Sequence, residues 1–277
     1  MVDGQSADNS LAIIELYRSK FAHVIIEEDG GQYEGVQKGF EKSTGEIMAW
    51  INSDDLYMPG AFHTVNEIFG SLTEVEWLMG FPGEISSIGT PFHRINLPWA
   101  RWSKWRYCTF DFQFIQQESC FWKRTLWDAS GASLNREYKR AADMELWARF
   151  FRHAKLYTTI SGLAAFRQHS HEQRSRIYRK EYLAECQEVI KRERRQLPWS
   201  QRVLLGPRRL INFLLWPFFF YEIPLLKRLY NWFSEIPPLI NFNVDRGRHE
   251  FSEQVMKLPP IMILGKNITT DTFRKSK

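Results

Sequence analysis

The segment Met48–Gly60, MAWINSDDLYMPG, carries an apolar, strand-like run straight into two adjacent carboxylates, Asp54 and Asp55, then turns on an aromatic and a Pro-Gly pair. Like charges side by side repel, so something cationic belongs against them. Mg2+ and Mn2+ prefer oxygen ligands and commonly take one or two carboxylates with substrate phosphate oxygens, so a metal-bound diphosphate suits the pair. A helix cap or a solvated turn would use the same residues. Asp143, in RAADMELW, opens a helical pattern, where aspartate is a favoured cap; a carboxylate so placed can also face a cleft and take a proton. In FRQHSH, Arg167, His169 and His171 alternate along an extended segment and share one face. That combination suits phosphate or metal, and equally structural hydrogen bonds.

The elements that would position these groups can be read from periodicity. Asp8 or Ser10 caps a helix with Ile13, Ile14 and Tyr17 at helical spacing, and HVIIE (His23–Glu27) reads as a buried strand. Tyr33–Ser43 is a second helix, EIMAWI (Glu46–Ile51) a second strand, PGAFHTVNEIFG a third helix begun by Pro59, and VEWLMG a third strand. This alternation predicts a mainly parallel α/β sheet flanked by helices, in which ligands collect at the carboxyl ends of the strands, where Asp54 and Asp55 lie. Further on, QESCFWKR reads as a strand and Asp143–Ala154 as a helix. The chain is then basic and helical to about Gln196, and the tail from Asn241 shows no clear period.

The 277 residues are 44% hydrophobic, enough for a substantial core, and carry a net charge of +5. Between Ser170 and Ile211 stand eleven Lys/Arg against five Asp/Glu. So local a patch points to phosphates or an anionic membrane surface, or to a solvated helix face, rather than to nucleic acid. Cys108, Cys120 and Cys186 are widely spaced, which predicts reduced thiols and no zinc site. MVDGQSADNS has neither the basic nor the apolar region of a secretory leader, so the expected location is cytoplasmic. LINFLLWPFFFY (Leu210–Tyr221) is too short to span a bilayer as one helix. With Arg208 and Arg209 before it and Trp216 and Tyr221 along it, it reads either as an interfacial segment on the inner face of the cell membrane or as a helix packed on the core.

Taken together these stretches resemble the family 2, GT-A-type glycosyltransferases. VDGQSADNS resembles that family's nucleotide-binding pattern D-[DG]-x-S-x-D, and GQYEGVQKGFEKSTGEIMAWINSDDLYMPGAF its run into the metal-binding aspartates. QESCFWKRTLWDASG followed by AADMELWARF is similar to the acceptor-side segment and the motif bearing the catalytic base, and LAAFRQHSHEQRS to the arginine-histidine segment that closes the catalytic domain. The resemblance runs from Val2 to about Ser175. It implies a GT-A-like (Rossmann-like) catalytic domain over residues 1–175, with a basic and apolar helical appendage over 176–277. It also implies site roles: Asp3 at the nucleotide base, Asp54 at the ribose and metal, Asp55 on a Mn2+ or Mg2+ ion bridging the diphosphate, Asp143 as the base, and Arg167 and His169 near the diphosphate or metal. Asn52 stands where many members carry the first Asp of D-x-D. Because Val2-Asp3 matches the exit of the family's second strand, the first strand and helix are expected to be missing, leaving sheet edges unpaired and stability low.

The implied reaction is inverting transfer from a nucleotide-sugar, a UDP-sugar foremost, to a glycan or lipid-linked acceptor in polysaccharide biosynthesis. A non-catalytic sugar-nucleotide-binding or scaffold protein of the same fold is the alternative. A nucleotidyltransferase fits less well, since no Gly-rich, lysine-bearing phosphate loop is present near the amino terminus. Trp99, Trp102 and Trp105 are candidates for stacking on sugar rings and equally for covering the core.

Overall fold

A computed structural model describes residues 1–92, 101–109, 115–169, 177–219 and 224–252. The chain opens with a two-stranded parallel sheet, β1 (Val2–Asp3) against β2 (Ile25–Ile26). Between them runs helix α1 (Ser10–Leu16), whose first N–H donates to the Asp8 carboxylate at 2.9 Å and whose Ile14 is buried. Ile26 is exposed, so the segment expected to be a buried strand is a short surface one. Helix α2 (Gln32–Lys42) lies on β1 through Gly35 and Gly39, one turn apart. A Cβ at Gly39 would stand 3.3 Å from Val2 Cγ2, so the small residue is what lets the helix approach.

Next come β3 (Ile47–Met48), β4 (Leu56–Tyr57), helix α3 (Ala61–Ser71) and β5 (Trp77–Met79). Helix α3 begins at Ala61 after Gly60, whose φ of 80° is open to glycine; Pro59 thus precedes the helix instead of opening it. β6 (Gly83–Ile85), β7 (Pro91–Phe92), helix α4 (Lys104–Cys108), β8 (Cys120–Lys123), α5 (Arg124–Ala129), α6 (Ala142–His153), β9 (Leu156–Thr159) and β10 (Ala164–Arg167) follow.

The carboxy-terminal part holds α7 (Arg179–Gln196), α8 (Trp199–Val203), α9 (Leu205–Phe219), α10 (Pro224–Ser234) and the hairpin of β11 (Leu239–Asn243) and β12 (Arg248–Ser252). That hairpin lies where no period was expected. It pairs with β9 and completes a six-stranded sheet in the order β12-β11-β9-β5-β8-β3, so the region beyond residue 175 contributes strands as well as helices.

The parallel character expected of the sheet holds at its centre, where β5, β9 and β11 run together. β8 lies antiparallel to both β5 and β3. It is reached through the long connection after β5 instead of a helical crossover, so it can enter from the opposite end. Period-two alternation sorts side chains to the two faces. Leu78, Phe121 and Ile240 meet Val65 and Ile68 of α3 on one side. Trp77, Met79, Cys120 and Trp122 meet Phe40, Leu146, Trp147 and Phe150 on the other. Trp147 stacks on Trp50 at 5.9 Å and on Trp77 at 5.2 Å between ring centroids, which makes it the hub of this face. Truncating so large a buried ring to alanine costs about 3–5 kcal/mol. Trp102 and Trp105 are buried in the same cluster and cover the core, and Trp99 lies outside the described residues. The three cysteines are free and buried, in line with the reduced thiols expected.

Candidate active site

β3 delivers the chain through the buried Trp50 into the turn Asn52–Asp55, closed by the Asp55 N–H donating to the Asn52 carbonyl at 3.2 Å. A second, four-stranded sheet of order β4-β10-β6-β7 fixes the exit from this turn. β10 runs antiparallel to β4, with Ala165 opposite Leu56, so the chain beyond Ala165 passes beside Asp54 and Asp55. The Arg-x-His of the sequence is carried there by β10, which ends at Arg167, and by the two residues that follow it.

The Arg167 N–H donates to Asp55 Oδ1 at 2.8 Å, and its Nε donates to the Asp54 carbonyl at 2.6 Å. Nη1 donates to the Ser86 and Ser87 carbonyls at 3.3 and 3.2 Å. These bonds make Arg167 a clamp between the aspartate turn and the loop after β6. His169 Nε2 lies 3.0 Å from Asp54 Oδ2. Asn52 Nδ2 donates to Asp55 Oδ2 at 3.2 Å, and Asn52 Oδ1 accepts from Gln32 Nε2 of α2 at 2.6 Å. The Asn that replaces an expected Asp is thus a neutral donor to its neighbour. Burial, with help from the Asp54 charge, raises the Asp55 pKa, against the pull of the Arg167 N–H.

This donor set, two carboxylates and an imidazole, is the chemistry a hard divalent cation takes when water and phosphate oxygens complete its shell. Among the described residues no three His, Cys, Asp or Glu side chains stand close enough to enclose a metal by themselves. His171 lies outside the described residues.

Asp143 sits at the second position of α6, whose N-cap is Ala141. The entry to that helix is satisfied by Glu185 of α7, whose carboxylate accepts the N–H groups of Lys139, Arg140 and Ala141 at 3.2, 2.9 and 2.8 Å. Asp143 is therefore not the N-cap. The Tyr33 hydroxyl lies 2.8 Å from the Arg140 carbonyl and 3.2 Å from Asp143 Oδ1. Burial pushes the Asp143 pKa up to about 6, while the Met144 N–H and the Tyr33 hydroxyl hold back part of the rise.

Glu118 is the residue that sequence reasoning missed. It lies in the turn of 3-10 helix Gln117–Ser119 just before β8, fully buried, and accepts from Gln116 Nε2 at 2.6 Å. Burial first and the Asp55 charge second push its pKa up to about 8, and the Asp143 charge adds to the rise. Glu118 thus lies within electrostatic reach of both ends of the site. Its neighbour Gln117 donates to the Trp50 carbonyl at 2.7 Å and steadies the chain entering the aspartate turn.

Asp3 ends β1 in a different setting. Its carboxylate accepts from the Ser6 N–H at 2.7 Å and the Ser6 hydroxyl at 2.8 Å, which locks the Asp-Gly-Gln-Ser turn. It belongs to the two-stranded sheet, joined to the aspartate turn through α2, which packs on β1 and reaches Asn52 with Gln32.

Residues 1–74 match the family model described as Glycosyl transferase family 2. No curated protein sequence matches the chain. The fold is similar to that of S. aureus TarS 1-349 in complex with UDP-GlcNAc, with a TM-score of 0.58 and 16% identity over 77% of this chain and 61% of that one. It is also similar to the mannosyltransferase PcManGT from Pyrobaculum calidifontis in complex with GDP-Man and Mn2+, with a TM-score of 0.52 and 13% identity over 74% of this chain and 57% of that one. The chain spans less than two thirds of the length of either structure. By sequence its first 74 residues match the glycosyl transferase family 2 model, and the chain as a whole has a mixed α/β fold similar to that of these GT-A glycosyltransferases.

Proposed function

We propose that the chain is an inverting glycosyltransferase that moves a sugar from a nucleoside-diphosphate sugar to a hydroxyl of a glycan or lipid-linked acceptor. The observation that carries this reading is the pairing of an aspartate turn, Asp54 and Asp55 beside His169, with a half-buried carboxyl, Asp143, that meets the Tyr33 hydroxyl and whose pKa is pushed up to about 6, while Glu118 lies within electrostatic reach of both.

Asp143 has the properties of the base. A carboxyl with a pKa of about 6 is ionised at neutral pH yet basic enough to take a proton from a hydroxyl under attack. The acceptor oxygen forms its bond to the anomeric carbon as its proton passes to Asp143; the bond from that carbon to the diphosphate oxygen breaks, and the nucleoside diphosphate departs with the electron pair. Burial and the Asp55 charge push the Glu118 pKa up to about 8, which makes it a poor carboxylate nucleophile near neutral pH and is compatible with a single displacement, the course that inverts the anomeric centre.

Asp54, Asp55 and His169 would hold Mn2+ or Mg2+, which supplies positive charge against the departing diphosphate when bound. Arg167, with its side chain already bonded to three carbonyls, holds this turn in shape. Asp3, fixed by Ser6 at the end of β1, is the proposed nucleotide-base contact. A UDP-sugar is the first donor to test, because UDP-GlcNAc is bound in the TarS structure and GDP-Man, the second, in PcManGT. Cytoplasmic placement at the inner membrane face would put the site beside a lipid-linked acceptor.

The test is release of UDP from UDP-sugars in the presence of Mn2+, with transfer scored on lipid-linked glycan acceptors. Turnover that disappears in Asp143→Asn and in Asp55→Ala supports the reading. Nucleotide-sugar binding by calorimetry without turnover in any donor and acceptor combination would overturn it in favour of a sugar-nucleotide-binding scaffold.

A further inference from the structure

We propose that the face made by helices α8, α9 and α10 is a docking surface for an anionic lipid bilayer. Three helices turn large apolar side chains outward at helical spacing: Trp199 and Val203 on α8, Leu210, Phe213 and Leu214 on α9, and Leu225, Leu229 and Trp232 on α10. Trp199, Phe213 and Trp232 are each at least three-quarters exposed, at 77%, 75% and 77%. Single exposed apolar residues are ordinary on a protein surface; a set spread over three consecutive helices marks an interaction site.

The charge around this face selects the occupant. From Leu197 to Glu235 the sequence holds five Lys/Arg and two acids, Glu222 and Glu235, and Glu235 is paired with Arg208. Arg209 and Arg228 are exposed, and Arg209 lines a shallow groove of about 270 Å³ with Gly206, Leu210 and Phe213. A cation beside exposed aliphatic and aromatic side chains is the pairing that meets a phosphate headgroup and the upper acyl chain together. A soluble protein partner of mixed charge would call for acids at the rim as well as bases.

The helices are held in place from beneath. Arg208, expected from sequence at headgroup level, points inward instead: its guanidinium lies 3.9 Å from the Trp105 ring centroid, Nη1 donates to the Phe233 carbonyl at 2.7 Å and Nη2 to Glu235 at 3.2 Å. Ser103 donates to the Ser234 carbonyl at 2.5 Å. One arginine of the Arg-Arg pair therefore fastens α9 to the end of α10 and to α4 while its neighbour stays at the surface. Among the described residues no helix is long and apolar enough to cross a membrane, so the contact lies along the bilayer surface. Trp216 and Tyr221, the aromatics first read as the interfacial belt, have no described side chains, and Trp199 and Trp232 take that place.

Flotation of the full chain with neutral phosphatidylcholine vesicles and with vesicles containing phosphatidylglycerol decides the matter, and needs neither donor nor acceptor, so its outcome is separate from that of the transfer assay. Wild type should float with the anionic vesicles only, less so as salt rises. Phe213→Glu with Trp232→Glu, and separately Arg209→Glu with Arg228→Glu, should each lower partitioning about tenfold or more. Far-UV circular dichroism and the thermal midpoint should not move, since all four side chains are exposed. No flotation of wild type, or flotation that the four substitutions leave unchanged, overturns the proposal. So does sedimentation showing a dimer that Phe213→Glu dissociates, because the occupant would then be a second copy.

Discussion

The two carboxylate ends of the candidate site are built in opposite ways. Asp55 is held by donors gathered from three segments, the Arg167 N–H from β10, Asn52 from its own turn and, behind Asn52, Gln32 from α2. Asp143 belongs to a regular helix whose approach, Lys139 to Ala141, is held by Glu185, and its carboxylate meets the Met144 N–H and the Tyr33 hydroxyl. At the first end, donors surround a carboxylate next to a second carboxylate and an imidazole, an environment suited to collecting positive charge. At the second, burial dominates and leaves a group that exchanges a proton near neutral pH. Packing alone thus gives two carboxylates of one chain different charge environments.

Removing the proton acceptor should give the largest effect. Asp143→Asn is expected to lower the rate of transfer by roughly 10²–10⁴-fold, measured by UDP release. The same variant should be more stable than wild type at pH 7. The folded pKa of about 6 lies above the ordinary 3.8, so the folded state binds the proton more tightly, and wild type loses stability as pH rises from about 4 to about 6. The loss is at most about 3 kcal/mol, and urea unfolding at pH 4 and pH 7 should show the variant's advantage only at the higher pH. An equal advantage at both would break the contrast between the two ends.

Asp55→Asn keeps an acceptor for the Arg167 N–H but removes the charge. Turnover should fall on the order of 10²-fold, and any Mn2+-dependent rise in thermal midpoint with UDP should vanish. Arg167→Lys cannot reproduce the fork to the Asp54, Ser86 and Ser87 carbonyls; the chain should lose about 2 kcal/mol of stability in urea, with the Asp55 bond to the backbone N–H intact. The smallest effect is expected from Tyr33→Phe. Its hydroxyl favours the ionised Asp143, so the acidic limb of the pH–rate profile should move up by about half a unit to one unit, with little change at pH 8. A uniform loss across the pH range would assign Tyr33 a packing role only.

Much of the aspartate turn was legible because its chemistry is contiguous. Adjacent like charges after an apolar strand announce a cation, and Arg-x-His in an extended segment brings both residues to the same turn, although β10 itself ends at Arg167. Glu118 was not legible in this way. Its effect depends on burial between segments far apart in sequence, and only the polar Gln-Gln-Glu run pressed against Cys-Phe-Trp hinted that a charge would be enclosed. The hairpin of β11 and β12 did carry a signal, Leu-Ile-Asn-Phe-Asn before Asp-Arg-Gly, with Gly247 at a φ of 62° in the turn. Each strand is only five residues long, so the alternation has two periods in which to show itself, and a helical context upstream obscured it. Arg208 and Arg209, adjacent and identical, face opposite ways because the helix rotates about 100° between neighbours, a difference that composition cannot express.

The placement of β11 against β9 has a consequence for how the molecule is made. Seventy-nine residues of chain, including all the outward-facing helices, must leave the ribosome between the two strands before the edge of β9 is covered. During that interval a growing chain shows both an unpaired edge and an apolar helical face. If the helical face docks on a bilayer as proposed, early arrival there would shelter the helices while the last strands are still being synthesised, and lipid contact would precede completion of the sheet.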